Sequence, residues 1–292
     1  MEKAAMILEG GANRGIFTSG VLDYLMEQDF YTEYVAGVSM GCCNGVDYVS
    51  RQIGRTKECV IRQNKKEERL DWKEIWKKKS LFDMDRLFDE YPNREVPFDY
   101  ETYFSSQIQF EAVVTNCISG KAEYLTEKKD RKRLMDICRA SCSMPMVSPI
   151  VEVDGQPYLD GGIADSIPLK RALEKGYRKI IVILTRNLGY RKTVSKRAMR
   201  CYQFAMRKYP NLAKTMCLRA KHYNKVLEQI EKLEEEGKIF VIRPQMEAIS
   251  RLEHDEKLLE LFYQNGYEEM KREYDRLLTY MEKDSSKGET NV

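Results

Sequence analysis

The chain has 292 residues, a formal net charge of +3, 42% hydrophobic residues and 33% charged residues. This balance excludes a disordered chain, which would lack the apolar residues, and a membrane-embedded chain, since no apolar run approaches the roughly 18 residues of a spanning helix. The short apolar run near the N-terminus is interrupted by Glu9, so we expect no signal peptide and a cytoplasmic protein with eight reduced cysteines.

The first elements alternate between strand and helix. Residues 4–8 form a short apolar run that breaks into a glycine-rich loop at 9–15, and apolar residues then recur at helical spacing. A second short strand at 34–38 leads to Ser39 and a helix that begins near Met40. This alternation predicts a mostly parallel sheet with helices on both faces.

A highly charged insertion follows at 55–95, and we interpret it as helices placed between core strands. It either covers a site or forms a solvated helical excursion. Its apolar anchors are Leu70, Trp72, Ile75, Trp76, Leu81, Phe82, Leu87 and Phe88.

The rest of the chain completes the sheet and adds helices. The predicted strands are 110–116, 121–126, 150–153, 158–160, 179–185 and 239–243, and the predicted helices are 130–141, 168–175 and 251–283. We therefore expect a three-layer α/β/α catalytic domain at 1–190, with its last strand at 239–243, a mainly helical C-terminal extension at 191–283 and a disordered tail at 284–292.

The segment GVSMG at 37–41 has the Gly-x-Ser-x-Gly pattern. In a strand-turn-helix context, this pattern projects a serine hydroxyl from a tight turn beside a helix N-terminus, where developing negative charge is stabilised. Ser39 is therefore a candidate nucleophile for acyl transfer.

The loop after the first strand can supply donors for an oxyanion. We expect the backbone amides of Gly10, Gly11 and Ala12 to contribute, with Arg14 adding charge or structure. The competing interpretation is a phosphate-binding loop, although the Lys-Ser/Thr pair and the GxGxxG spacing are missing. We expect neither a metal nor another cofactor.

The base that would serve Ser39 has two candidates. His222 would complete a histidine triad with Asp160, but it lies among basic residues on a predicted helix. Asp160, at the end of a strand and before two glycines, can act as a general base directly if it is partly desolvated. The alternative for Asp160 is a loop aspartate that caps a turn.

Four motifs together resemble the patatin-like phospholipases: LEGGANRG at 8–15, GVSMG at 37–41, RASCSMP at 139–145 and DGG at 160–162. The resemblance implies that Ser39 is the nucleophile, Asp160 is the base and the loop from Gly10 forms the oxyanion hole. It implies hydrolysis of an ester-linked acyl chain of a lipid, of phospholipase A or lysophospholipase type, through an acyl-serine. The supporting motif residues are Gly15, Gly37, Gly41, Gly161 and Gly162.

The segment 186–225 contains twelve Lys and Arg residues and no Asp or Glu. Its interleaved apolar residues suit peripheral contact with an anionic membrane at the inner surface, or else they pack on the core while the cations are solvated. No nucleic-acid recognition motif accompanies the charge, so we expect no nucleic-acid partner.

Two functions follow from these features. The first is a serine hydrolase that acts on lipid acyl esters. The second is a catalytically weak or inactive lipid-binding regulatory protein on the same scaffold, because Ala12 replaces the third glycine of the usual loop and can donate only if its backbone angle tolerates a side chain.

Overall fold

A computed structural model describes residues 1–65, 72–78, 80 and 82–283. Its centre is one eight-stranded sheet in which hydrogen bonds link the strands in the sequence β5-β6-β3-β2-β1-β7-β8. β4 also pairs with β3. The strands are β1 (Glu2–Leu8), β2 (Thr32–Val38), β3 (Gln109–Asn116), β4 (Ala122–Leu125), β5 (Val151–Val153), β6 (Gln156–Asp160), β7 (Ile180–Ile183) and β8 (Phe240–Ile242).

Ten α-helices surround the sheet in the part of the chain that the structure describes. They are α1 (Ile16–Glu27), α2 (Met40–Val49), α3 (Arg55–Asn64), α4 (Trp72–Lys78), α5 (Tyr100–Ser105), α6 (Arg131–Cys142), α7 (Leu169–Glu174), α8 (Lys196–Ala205), α9 (Pro210–Glu235) and α10 (Glu256–Glu282). Within that part of the chain, none of the helices combines the length and the apolar character needed to cross a bilayer.

Alternating residues of the central strands face the two helical layers. On β1, Met6 and Leu8 pack in a buried cluster with residues of α1, α2, α6 and α10. Ala5 and Ile7 face the other way, into a cluster with α7 and α9. This period of two along a doubly covered strand confirms the predicted three-layer α/β/α fold.

The ends of β2 and β6 meet on the same edge of β3. β4 pairs with β3 at residues 112–115, which overlap both the β2 pairing at 109–113 and the β6 pairing at 114–116. Each edge of a strand can hold one partner at a given residue, so β2 and β6 both lie opposite β4. Since Val38 pairs with Val113 and Asp160 pairs with Val114, the two strands run head to head and their carboxyl ends adjoin.

The C-terminal helix α10 is part of the helical layer beside α1. A Cβ atom on Gly20 of α1 would overlap the Tyr263 carbonyl, and one on Gly266 of α10 would overlap the Phe17 carbonyl. The two glycines thus allow a close approach of the two helices, and the Tyr263 hydroxyl donates to Asp23 at 2.9 Å. The predicted domain boundary at residue 190 stays a prediction. β8 and α10 lie beyond that residue, and they pack on β7 and on α1.

The described residues of the charged insertion are mainly helical, as predicted, but the last helical segment is a π-helix at Arg86–Glu95 that contains Pro92. Proline removes one backbone donor, which favours irregular helical pairing at that point. The side chains of Leu70, Trp72, Ile75, Trp76 and Leu81 lie outside the described residues, as does the tail predicted at 284–292.

Candidate active site

Ser39 lies at the turn between β2 and α2, with φ 55° and ψ −124°. A residue with a side chain rarely adopts this backbone conformation, and such strain is typical of a nucleophile elbow. The Ser39 carbonyl accepts from the Cys42 amide at 2.8 Å and starts the helix. The serine is 8% exposed.

Glycines allow the backbone to close around the elbow. A Cβ atom on Gly37 would overlap the Gly41 carbonyl, and one on Gly41 would lie 2.5 Å from the Leu8 carbonyl oxygen. The elbow therefore packs directly against the end of β1. Gly15 and Gly161 also leave no room for a side chain. A Cβ atom on Gly15 would overlap the Met40 side chain, and one on Gly161 would overlap the Val113 carbonyl.

Asp160 ends β6, and its carboxylate lies close enough to the side chain of Ser39 for this hydroxyl group to lower the pKa of the carboxyl. Its Oδ1 atom also accepts from the Gly162 amide at 2.7 Å, so the aspartate caps a turn and contacts the serine at once. Burial raises the pKa of this carboxyl above its ordinary value, although the contacts with Ser39, Arg219 and the Gly162 amide each lower it.

The glycine loop lies beside Ser39. A Cβ atom on Gly10 would be 3.1 Å from the Ser39 Cβ, which places this loop against the elbow. Among the described residues, no backbone carbonyl or side chain accepts from the Gly10 or Gly11 amide. Ala12 has φ 49°, so an alanine adopts the left-handed conformation here despite its side chain.

Arg14 lies beneath this loop, is 2% exposed and lines neither of the cavities described below. Among the described residues, its Nε and Nη1 atoms have no hydrogen-bond partner. Burial, with repulsion from Arg186 and Arg251, lowers its pKa to about 10. Arg14 therefore affects the site through its charge and packing and not by lining a cavity.

Ser141 of α6 ties the elbow to β3. Its Oγ atom accepts from the Ser39 amide at 2.9 Å and donates to the Val113 carbonyl at 2.7 Å. Asp160 is held by the next turn, since its amide donates to the Ser143 carbonyl at 2.8 Å. One segment, 139–145, thus positions both Ser39 and Asp160.

Two cavities meet at Ser39. One is lined mainly by apolar side chains of α2, α6 and the insertion, whose first helix is α3. The other is more polar and is lined by the glycine loop, Asp160, Arg219 and Arg251. Ala12, Ser39 and Met144 line both cavities.

The insertion supplies much of the apolar wall, which supports the interpretation that it covers a site. Beyond the residues of α3, its residues in that wall are Phe82, Met84, Leu87, Phe88, Tyr91 and Pro92.

The histidines lie elsewhere. His222 is exposed on α9, and the His254 Nδ1 atom is 2.7 Å from the Asn64 Oδ1 atom. Among the described residues that line the two cavities, there is no histidine. The geometry therefore does not assemble the triad with His222.

A family model for the patatin-like phospholipases matches residues 6–173, which is more than half of the chain and includes Ser39 and Asp160. The chain belongs to the patatin-like phospholipase family. A second model, for a domain of unknown function (DUF6363), matches residues 209–282.

One curated relative and one solved structure are similar to this patatin-like chain. The chain is 31% identical over 188 residues to the uncharacterized protein YjjU of Escherichia coli (strain K12). This match covers 63% of the chain and 52% of YjjU. The chain thus spans about half the length of this curated relative. The crystal structure of VipD from Legionella pneumophila aligns with a TM-score of 0.47 at 14% identity, over 94% of this chain and 67% of that one.

Sequence reasoning missed three residues of this patatin-like site. Ser141 lies within a motif that was recognised, but its contact with the elbow depends on how α6 packs against β3. Arg219 belongs to the acid-free basic segment, which signalled positive charge without indicating its place. Arg251 had no signal, because it reaches the polar cavity only through the packing of the chain between β8 and α10.

Proposed function

We propose that this protein hydrolyses ester-linked acyl chains of lipids through an acyl-serine at Ser39, with Asp160 as general base. The observation that carries the proposal is the proximity of the two side chains at the point where an apolar and a polar cavity meet. Membership of the patatin-like phospholipase family supports lipid acyl hydrolysis in general.

The chemistry follows from the positions of the groups. The Ser39 Oγ atom attacks the ester carbonyl carbon while its proton passes to the Asp160 carboxylate. The carbonyl oxygen becomes an oxyanion, and we assign its stabilisation to the Gly10, Gly11 and Ala12 amides. When the C–O bond breaks, the protonated Asp160 returns the proton to the departing alcohol oxygen.

The second half of the cycle releases the fatty acid. A water molecule attacks the acyl-serine carbonyl while its proton passes to Asp160, and the Ser39 oxygen leaves and recovers that proton. The raised pKa of Asp160 suits this role, because a desolvated carboxylate is a stronger base than an exposed one.

The two cavities fit the two ends of an amphipathic ester. Met40, Cys43 and Val46 line the apolar cavity along one face of α2, with Asp47 farthest from the serine along the helix. The eight residue-to-residue steps from Ser39 to Asp47 correspond to about 12 Å of helix. We therefore assign the acyl chain to this cavity and the head of the ester to the polar one.

The experiment is hydrolysis of a panel of acyl esters by the purified protein, combined with labelling by an organophosphonate. Ser39→Ala and Asp160→Asn each abolish hydrolysis, and the label attaches to Ser39. Asp165→Asn is a matched control, because this aspartate bonds to Tyr124 at 2.8 Å and lines neither cavity. Full activity in either site variant would exclude the dyad.

The alternative, a lipid-binding protein without activity, predicts lipid binding with no labelling of Ser39. The left-handed backbone of Ala12 weakens the reason for this alternative, since the loop conformation forms with an alanine in place. Stoichiometric labelling of Ser39 would exclude it.

We further propose that α8 contacts the lipid surface. None of its residues is buried, and Phe204 is 73% exposed among flanking cations. Most other apolar residues of 186–225 do not join this surface: Tyr202, Met206, Tyr209, Leu212 and Met216 belong to an internal cluster. Tyr202 also lines the polar cavity, so α8 lies beside the proposed site.

A further inference from the structure

Two arginines from the C-terminal part of the chain lie at the polar cavity beside Ser39. Arg219 comes from α9 and Arg251 from the segment before α10, and both line this cavity together with Asp160. Both lie outside the residues matched by the patatin-like family model. They are therefore an addition to the part of the site that this model covers.

Each arginine is anchored to the catalytic loops. The Arg219 Nε atom donates to the Gly162 carbonyl, two residues beyond Asp160. The Arg251 carbonyl accepts from the Asn13 amide at 3.2 Å, directly after Ala12. Within the described part of the chain, no carboxylate forms an ion pair with either guanidinium group, so both retain N–H donors for a ligand.

The surroundings hold more positive than negative charge. Two carboxylates interact electrostatically with the cations here: Asp160, which lies beside Ser39, and Glu9, which accepts from Thr185 and Tyr223 at 2.7 Å each. The cations that interact electrostatically in this region are Arg14, Arg186, Lys192, Arg219 and Arg251.

Burial and the proximity of these cations to one another lower the pKa values of Arg14, Lys192 and Arg219. Burial and the proximity of Arg251 lower the pKa of Arg219. Burial and the proximity of Arg219 lower the pKa of Lys192 well below its ordinary value. A bound anion would relieve this repulsion, since buried cations without partners are costly.

We propose that Arg219 and Arg251 bind a phosphate group carried by the acyl-ester substrate, on the side of Ser39 opposite the acyl chain. This inference rests on the proposed hydrolysis at Ser39. Two planar guanidinium groups offer paired donors that match phosphate oxygens, and their joint charge suits a phosphate better than a neutral head group.

The test compares two esters with the same short acyl chain, each kept below its aggregation concentration: a lysophosphatidic acid and a monoacylglycerol. At a pH above the acid limb, Arg219→Gln and Arg251→Gln each lower the ratio of kcat/KM for the phosphate ester to kcat/KM for the neutral ester by about tenfold or more, as expected for the loss of charged hydrogen bonds to the phosphate. Arg200→Gln, an exposed change of the same kind on α8, leaves the ratio of the two kcat/KM values unaltered.

The stability of each variant is measured by thermal unfolding, and Arg219→Lys serves if Arg219→Gln does not fold. An unchanged preference between the two esters in both variants would overturn the subsite while hydrolysis and labelling of Ser39 stand. Absence of hydrolysis of both esters, with no labelling of Ser39 in the wild type, would instead overturn the proposed function.

A third arm uses inorganic phosphate as an inhibitor of monoacylglycerol hydrolysis. Inhibition that is lost in the arginine variants, together with the preference of the wild type for the phosphate ester, supports the proposal. Such inhibition without any preference between the esters would show a site for free phosphate and overturn the assignment to the substrate.

Discussion

The hydroxyl group of Ser141 accepts a hydrogen bond from the Ser39 amide at 2.9 Å and donates one to the Val113 carbonyl at 2.7 Å. All three groups are buried, so none has water as a substitute partner. The strained backbone of Ser39 is thus fixed from the side of α6, and the orientation of its hydroxyl depends on a residue that never contacts the ester.

Ser141→Ala leaves this amide and this carbonyl without partners, which costs about 1–3 kcal/mol of stability. We expect kcat to fall by about tenfold or more with little change in KM, because the nucleophile is displaced while the acyl cavity is intact. Steady-state kinetics and urea unfolding measure the two effects.

Ser143→Ala is the matched control for this change. Its hydroxyl is also buried but donates to the Arg139 carbonyl within the same segment, at 3.0 Å. An equal loss of kcat in both variants would show that Ser141 has no special role at the elbow.

The protonation of Asp160 predicts the acid limb of the pH profile. Asp160 must be ionised to accept a proton, and burial raises its pKa, so kcat/KM for a neutral ester falls at a higher pH than an ordinary aspartate would allow. Arg251 and Arg219 favour the ionised form. Arg251→Gln therefore moves the acid limb to still higher pH, and an unmoved limb would contradict this.

The raised pKa of Asp160 also predicts how the stability of the fold depends on pH. A carboxyl with a raised pKa in the folded state stabilises the fold while protonated, and this contribution is lost as pH rises through the folded pKa. Asp160→Asn should therefore unfold at a higher temperature than the wild type at neutral pH. The difference should vanish below the pKa of an unfolded aspartate, about 3.9.

Much of this site could be predicted from the sequence because its signals are local. Ser39 and its glycines occupy five consecutive residues, and the close backbone contacts at Gly37 and Gly41 require that pattern. To predict that Ser39 pairs with Asp160, the order of the motifs was needed as well. In the structure the two residues meet because β2 and β6 end side by side on β3, and no single segment encodes this arrangement.

The parts that escaped prediction depend on contacts between distant segments. Arg219 reaches Gly162 across 57 residues, and Arg251 meets the loop at Asn13 from the far end of the chain. Composition indicated a positive surface around Arg219, whereas the structure places its guanidinium group beside Asp160. A charge count cannot distinguish a solvated face from a cavity wall.

Ala12 provides a test of the loop conformation. Its φ of 49° costs an alanine about 1–2 kcal/mol, and a glycine would relieve this at the expense of a more flexible unfolded chain. We expect Ala12→Gly to retain activity with stability unchanged or up to about 1 kcal/mol higher. Ala12→Val should lose most activity, because a β-branched residue tolerates positive φ poorly.

Labelling rates with the organophosphonate and urea unfolding distinguish these outcomes. A valine variant that reacts as fast as the wild type would show that the Ala12 amide is not needed in the oxyanion hole.

The apolar cavity predicts a dependence on chain length. Cys43 and Val46 lie about one turn apart on the face of α2 that lines it, with Val46 farther from Ser39 along the helix. Val46→Phe should therefore lower kcat/KM for a long-chain ester by about tenfold and spare a short-chain one, since an added ring fills the distal space. Cys43→Phe, nearer the serine, should impair both.

This pair of variants controls for a general loss of packing. If Val46→Phe impaired short and long chains equally, the acyl chain would not lie along α2.

The exposed face of α8 predicts binding to lipid surfaces. Phe204→Ala removes an aromatic ring that is 73% exposed, and we expect about tenfold weaker binding to anionic vesicles, as a lost buried apolar side chain implies. Arg207→Gln, next to this ring, should weaken binding to anionic vesicles only. Leu261→Ala on α10, whose side chain is 56% exposed, is the control for an apolar residue away from α8. Vesicle flotation measures the binding of all three variants. Equal losses of binding for Phe204→Ala and Leu261→Ala would exclude α8 as the contact, because the loss would then depend on exposed apolar area and not on position in the fold.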